Sequence, residues 1–301
     1  MELSCSDDGS TVVCLGARVN VFDIRNRIRI SSAHPFSHPS QAAFSPDGKL
    51  LAVKNTVGGI VVLDPATGNV IYDFKNQKEA EGSEVLFSPD GKKVIDASWQ
   101  GEIRVRNMFE PTVVSQQSFH GEMISRISHD RARRIWLFEH HPIVRPGENW
   151  PSPPYLTLDK WPIGKRKAKV LSLDLDLLAS STLSPDAGRI CFVSTRRRVG
   201  GWIKIAKASD GEVVATSEEI KIGGTGCELA WSSDGKYVGS VQARRFVFYH
   251  SSDLSVIGEV PCTYPSSICF LPGTEDVVLG SWNSSVLAEI NDIAAGKVKM
   301  K

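Results

Sequence analysis

The residues able to do chemistry fall into a few groups. Arg196-Arg197-Arg198 and Arg244-Arg245, with Arg18, offer planar guanidinium forks that pair bidentately with carboxylate or phosphate. Trp99 and Trp282 offer large amphipathic rings of the kind that anchor protein interfaces. His140-His141, with His34, His38 and His120, could ligate a metal. Glu102, Glu122 or Glu139 beside His120 or His140 could form an acid–base dyad assembled from distant loops.

The histidines make the weaker case. Neighbouring residues in a strand point to opposite sides, so only one of His140 and His141 could join a site, and no Asp, Glu or Cys stands at ligand spacing. The sequence contains no Gly-x-Ser-x-Gly elbow, phosphate loop, dinucleotide fingerprint or zincin helix. No catalytic residue, metal or cofactor is therefore assigned, and the protein is read as a non-enzyme. Six cysteines at 5, 14, 191, 227, 262 and 269 form no CxxC pair and sit mostly among apolar residues, where a thiol behaves as a small hydrophobe.

What must position the arginines and tryptophans is a repeat. An apolar residue followed by Ser-x-Asp-Gly, or a decayed copy, recurs with its second position at 6, 45, 88, 128, 184, 232 and 271. The best copies are Phe44-Ser45-Pro46-Asp47-Gly48, Phe87-Ser88-Pro89-Asp90-Gly91 and Trp231-Ser232-Ser233-Asp234-Gly235. Pro fixes φ at the first central turn position, Asp bonds backbone two residues on, and Gly accepts positive φ, so each copy is a hairpin turn. Apolar strand residues follow each turn, as in Lys49 to Val53 and Arg189 to Val193. A third strand recurs at Val19 to Ile24, Ile60 to Asp64, Ile103 to Asn107, Tyr155 to Asp159, Ile203 to Lys207, Phe246 to His250 and Val286 to Ile290. A fourth, more variable one follows in each repeat, ending with Lys297 to Met300. Spacings of 39 to 56 residues with four strands per repeat predict an all-β, seven-bladed β-propeller of four-stranded antiparallel blades. The blades fall near 1–38, 39–80, 81–121, 122–178, 179–224, 225–264 and 265–301, in one domain over 1–301. With the first strand near Glu2, blades one and seven are expected to meet without an exchanged strand.

In such a blade the loops between strands two and three, and those leading to the next blade, share one end. That end should carry Arg18, Lys54, Trp99, His140, His141, Arg196, Arg197, Arg198, Arg244, Arg245 and Trp282, with His34, His38 and His120 beside them. The other end collects Asp7, Asp8, Asp47, Asp90, Asp130, Asp186, Asp234, Glu275 and Asp276. A chain of net charge +1 thus sorts its charge by end, although Arg at strand ends also snorkels over apolar surface, and Trp99 and Trp282 could instead pack between blades. The five-proline segment from His140 to Pro154 should be an extended loop, and Lys165-Arg166-Lys167 a solvated turn.

Phe44-Ser45-Pro46-Asp47-Gly48-Lys49-Leu50-Leu51-Ala52, followed by Ile60-Val61-Val62-Leu63-Asp64-Pro65-Ala66-Thr67-Gly68, resembles the WD-repeat and WD-repeat-like propeller superfamily. Val21-Phe22-Asp23 and Val62-Leu63-Asp64 look like the degenerate form of that family's closing dipeptide. No repeat has Gly-His before its first strand or ends in Trp-Asp, so the buried hydrogen-bond network of strong repeats should be absent. The resemblance implies a stiff scaffold binding partners at an end of its blades.

The chain has 301 residues, 41% of them hydrophobic, and no apolar run approaches the roughly 20 residues that cross a bilayer. The N-terminal residues have neither the basic start nor the apolar core of a signal peptide, so a cytoplasmic location is expected. Near-neutral charge gives no general drive toward nucleic acid or membrane. The function read from the sequence is a protein-interaction scaffold, monomeric, binding an acidic or phosphorylated protein segment on its basic loops. The alternative is a propeller-type hydrolase or lyase acting on a small molecule at the channel mouth.

Overall fold

The structure, a computed structural model, describes residues 2–74, 84–110, 112–130, 134–143, 153–165, 168–171, 177–196, 200–222 and 227–300. They form a seven-bladed β-propeller, built of seven antiparallel sheets in which chain neighbours are sheet neighbours. The first sheet is β1 (Glu2–Cys5), β2 (Thr11–Leu15), β3 (Val19–Asp23) and β4 (Ile28–Ala33), and the second is β5 (Pro39–Phe44), β6 (Leu51–Asn55), β7 (Ile60–Leu63) and β8 (Val70–Asp73). The third comprises β9 (Val85–Phe87), β10 (Lys93–Ala97), β11 (Glu102–Asn107) and β12 (Val113–Ser118). In the fourth are β13 (Glu122–Asp130), β14 (Ile135–Pro142), β15 (Tyr155–Lys160) and β16 (Lys169–Leu171). The fifth contains β17 (Leu177–Leu183), β18 (Arg189–Arg196), β19 (Gly200–Lys207) and β20 (Val213–Lys221). The sixth has β21 (Leu229–Trp231), β22 (Tyr237–Gln242), β23 (Arg245–His250) and β24 (Val256–Pro261). The seventh has only β25 (Pro265–Phe270), β26 (Asp276–Ser281) and β27 (Ser285–Glu289), followed by a short helix, α1 (Ile290–Ala294).

The repeated turn folds the same way in five of the seven repeats; in the fourth, Ser128 and Asp130 lie within β13, and the seventh has Leu271 in place of the serine. In the second repeat the Ser45 hydroxyl donates to Asp47 at 2.7 Å and accepts the Leu50 amide at 2.9 Å, while the Gly48 amide, at φ +70°, donates to the Ser45 carbonyl. Ser6, Ser88, Ser184 and Ser232 repeat the pattern with Asp8, Asp90, Asp186 and Asp234. The serine hydroxyls beside them hold the carboxyls of Asp8, Asp47, Asp90 and Asp186 below the usual aspartate range. These aspartates are spent on closing hairpins.

The outermost strands share a second regularity that the sequence pattern does not show. Against strand three, each of β4, β8, β12, β20 and β24 carries an extra residue, Ile30, Ile71, Val114, Val214 and Ile257 in turn, where the register slips by one. A bulge of this kind twists an edge and spoils it as a template for further strands.

The chain divides into two compact units, Met1–Ile127 with Phe138–Ser152 and Asp159–Ala168 in the first, and Ser128–Leu137 with Pro153–Leu158 and Lys169–Lys301 in the second. Within the first, apolar strand faces pack sheet on sheet: Val13, Leu15 and Val19 meet Phe44, Leu51 and Val53, and Ile60, Val62 and Phe74 meet Val85, Phe87 and Val94. Within the second, Val193, Ile203 and Ile205 meet Leu229, Trp231 and Val247, and Phe246, Phe248 and Val260 meet Ile268, Val277 and Leu279. Arg189 there donates to the carbonyls of Gly235 and Ser251 and lies over the Trp231 ring, 4.9 Å from its centroid.

The fourth strand expected at Lys297 to Met300 does not form. Ile290 and Ile293 are both buried, and a spacing of three residues puts them on one face of a helical turn, which draws the chain into α1. The helix lies against β24 at Gly258, where a Cβ would come within 2.7 Å of the Ile293 carbonyl oxygen. At the other terminus β1 pairs with β2 in the first sheet. No helix among the described residues is long and apolar enough to cross a membrane.

Candidate functional site

The residues singled out in the sequence separate into buried and exposed sets. Arg18 lies in the turn between β2 and β3, exposed, donating to the Ser32 hydroxyl at 2.9 Å and to the Ser32 carbonyl. Trp99 lies in the turn between β10 and β11 and Trp282 in that between β26 and β27, at 44% and 60% exposure, so neither indole is packed away between blades. Arg244 occupies the turn between β22 and β23 at φ +59°, exposed, and Arg245 begins β23 in an ion pair with Glu259 at 2.7 Å. Arg196 ends β18. Arg197 and Arg198 lie outside the described residues, as do Arg166 and Lys167 and most of the proline-rich segment.

His140 and Lys54 are not loop residues. Both sit within strands, β14 and β6, and both are fully buried. The strands run further than a titratable side chain leads one to expect from sequence, β6 to Asn55 and β14 to Pro142. Each is instead held by an acidic partner that no local pattern reveals.

For Lys54 the setting is a charged cluster in the first unit. Its ammonium donates to the Ala97 carbonyl at 2.5 Å and lies 3.7 Å from Asp96, to which Arg104 and Arg106 also bond at 3.0 and 3.2 Å. Glu102 holds the other side of the Arg104 guanidinium at 3.3 Å. Burial brings the Lys54 amine down to about 8, against the pull of Asp96, and burial also lowers Arg106. Arg104 and Arg106, two residues apart in β11, share a face, a spacing visible in the sequence once the strand is known. This cluster sits directly beneath the Trp99 turn, whose Ser98 is itself buried.

His140 donates from Nδ1 to the Glu122 carboxylate at 3.0 Å, its ring edge-on to Phe119. Burial lowers its basicity, offset by Glu122. On the next position His141 stands 3.8 Å from Glu139, which accepts from the Ser125 hydroxyl at 2.9 Å. A carboxylate–histidine pair is the arrangement that acid–base catalysis uses, but His140 exposes no surface to a ligand. A cleft of about 610 Å³ in the first unit is lined elsewhere, by Glu2, His34, Ser37, His38 and Thr56 among others. Among the described residues no three His, Cys, Asp or Glu side chains come together as a metal site.

The second unit holds an exposed aromatic pair. Tyr264 lies in the connection between β24 and β25 and stacks on Trp282, ring centroids 5.3 Å apart and planes within 16°, with half of its own surface exposed. Backbone bonds fix the partners: the Trp282 amide donates to the Tyr264 carbonyl, and the Cys262 amide, two residues earlier, to the Arg244 carbonyl. Arg244 has no side-chain partner among the described residues. Tyr264 escaped the sequence reading because the connections between blades carry no repeat. Its one signal was an aromatic residue in a stretch of Pro, Cys, Thr and Ser.

No family model matches the chain, and no curated protein does. Solved structures do. Kuenenia stuttgartiensis hydrazine synthase superposes with a TM-score of 0.76 at 16% identity, over 96% of this chain and 94% of that one. The β-propeller domain of Myceliophteria thermophila Cps50 (Swd1) superposes with a TM-score of 0.75 at 10% identity, over 95% of this chain and 96% of that one. At such identities the likeness is one of fold.

Proposed function

We propose that this protein is an interaction module that takes an acidic or phosphorylated segment of a partner protein on Arg244, Tyr264 and Trp282. The observation that carries this reading is the Tyr264–Trp282 stack, two large rings left half exposed or more, with the exposed Arg244 joined to the same connection through the bond of its carbonyl to the Cys262 amide. Large apolar surface held rigidly in solvent marks an interaction site, and the guanidinium supplies bidentate recognition of an anion. Arg18 and Arg245 are already engaged, with Ser32 and Glu259, and contribute less. Arg196 ends β18, and Arg197 and Arg198 follow it in the sequence as further positive charge. The propeller fold shared with the Swd1 domain is a scaffold well suited to such binding, by analogy of fold.

The test is affinity purification with the wild type, with Arg244→Glu combined with Trp282→Ala, and with Arg196, Arg197 and Arg198 reversed to Glu. Partners lost from the first variant and recovered on a phosphorylated or acidic peptide support the reading. Unchanged capture by both variants would sink it.

A further inference from the structure

Among the described residues the seventh sheet lacks the strand that the other six have, and β27 is there an open edge where every other third strand is covered. Val21, Val61, Val105, Ile205 and Phe248 on the corresponding strands are all buried, whereas Leu287 in β27 is 37% exposed. The directions of its backbone groups follow from the ladder. Ser281 donates to Ser284 across the hairpin and Ile290 to Glu275 at the far end, in one continuous register in which Val286 faces Leu279 and Ala288 faces Val277. Hydrogen-bonded pairs alternate along an antiparallel ladder, so Val286 and Ala288 bond inward, and the amides and carbonyls of Ser285, Leu287 and Glu289 point away from β26.

This edge is also regular. Five of the six outer strands are bulged, and the sixth, β16, is only three residues long, but β27 runs against β26 without a register shift over five residues. A regular edge with unpaired groups is a template for another strand.

We propose that the occupant is the β27 edge of a second copy of this chain, paired antiparallel about a two-fold axis through Leu287. The strand is complementary to itself in that register. Leu287 meets Leu287 of the copy and covers the apolar surface each exposes alone. Ser285 meets Glu289, so the one ionised side chain on the strand faces a hydroxyl donor, not a second carboxylate. Leu287 exchanges both backbone bonds with its counterpart, and Ser285 and Glu289 do so at either side, which uses every outward-pointing group on the edge. The two three-stranded sheets become one of six strands, and the contact is isologous, as a two-fold dimer requires. A dimer replaces the monomer that the sequence alone leads one to expect.

Sedimentation velocity of the full chain over a concentration series tests this, with Leu287→Lys and Leu287→Glu as variants. Residue 287 bonds outward and is partly exposed, so each variant keeps the β26–β27 ladder, and an unchanged melting temperature confirms that each is folded. The expected result is a dimer for the wild type, a monomer for each variant alone, and a one-to-one heterodimer when the two are mixed, because Lys then faces Glu across the axis. A wild type that stays monomeric throughout, including one that captures an extended segment of a different protein at this edge, overturns the proposal. So does a dimer that survives in both variants, or two monomeric variants that do not recombine.

Discussion

Two turns in this protein share the same dipeptide at the same place in the blade, Ser98-Trp99 in the third sheet and Ser281-Trp282 in the seventh, and are held in opposite ways. Beneath Trp99 the chain buries charge: Lys54 reaches the Ala97 carbonyl, and Asp96 gathers Lys54, Arg104 and Arg106. The turn itself closes on Gly101 at φ +80°, where a Cβ would lie 2.3 Å from the Phe119 carbonyl oxygen. Around Trp282 the stretch from Val277 to Ala288 carries no charged residue. The Ser281 hydroxyl accepts the Asn283 and Ser284 amides, and the indole is steadied by a stacked tyrosine at the surface. One turn is fixed from below by a buried ionic cluster and presents a lone indole. The other is fixed by short local bonds and presents its indole stacked on a phenol.

The sharpest way to break this comparison is to remove the anion that organises the first turn. Asp96→Ala leaves three buried cations facing one another and should destabilise the protein by about 3–5 kcal/mol, the range found when one partner of a buried pair is deleted. Lys54→Met, which removes a cation that already has two competitors for Asp96, should cost far less. Urea unfolding of the two variants decides the point, and equal losses would contradict the account of Asp96 as the hub.

The pH dependence of stability gives a second contrast. The Lys54 amine stands at about 8 in the folded chain and near 10.5 when unfolded. Below pH 8 it is charged in both states and the folded state bears the cost of burying it. Between about 8 and 10.5 the unfolded chain binds the extra proton, so stability rises with pH, by up to about 3 kcal/mol at roughly 1.4 kcal/mol per unit. Wild type should therefore gain on Lys54→Met as pH is raised through that window. A flat difference between them would show the amine to be unperturbed.

At the second turn the effect should appear in binding. Trp282→Ala should weaken partner capture by about 2 kcal/mol, near thirty-fold, as for a buried aromatic anchor. Its cost to stability should stay near the 0.5–1.5 kcal/mol that a stacked pair contributes beyond its burial, roughly. Trp99→Ala should leave capture by the second unit intact. Titration of both variants with the captured partner checks this.

How much of this was open to reading from the chain depends on the range of the interactions. The Ser-x-Asp-Gly turns were legible because every bond that makes them lies within five residues, as from Ser45 to Asp47 and Leu50. The third strands were legible because their apolar runs recur. Lys54 and His140 were misplaced because what buries them is remote: Asp96 is on another sheet, and Glu122 on another strand. The outer-strand bulges were hidden for a different reason, since an extra Ile or Val in an exposed strand alters no pattern of burial that a sequence displays. The last strand failed because Ile290 and Ile293, three residues apart, share a buried face only in a helical turn, which packs against Gly258.

The smallest expected effect concerns two adjacent arginines. Arg245 pairs with Glu259 at 2.7 Å, but both side chains are about half exposed, and an ion pair so placed contributes at most about 1 kcal/mol, less as salt screens it. Arg245→Ala should therefore lower stability by a few tenths of a kcal/mol up to about that limit, with the loss shrinking in high salt, and should leave partner capture nearly unchanged. Arg244→Glu, one residue earlier at the turn, should abolish capture without touching stability. If the two substitutions weaken binding alike, the partner reads the net charge of the loops and not the particular group beside the Tyr264–Trp282 stack, and the contrast between the two tryptophan turns would then rest on their aromatic rings alone.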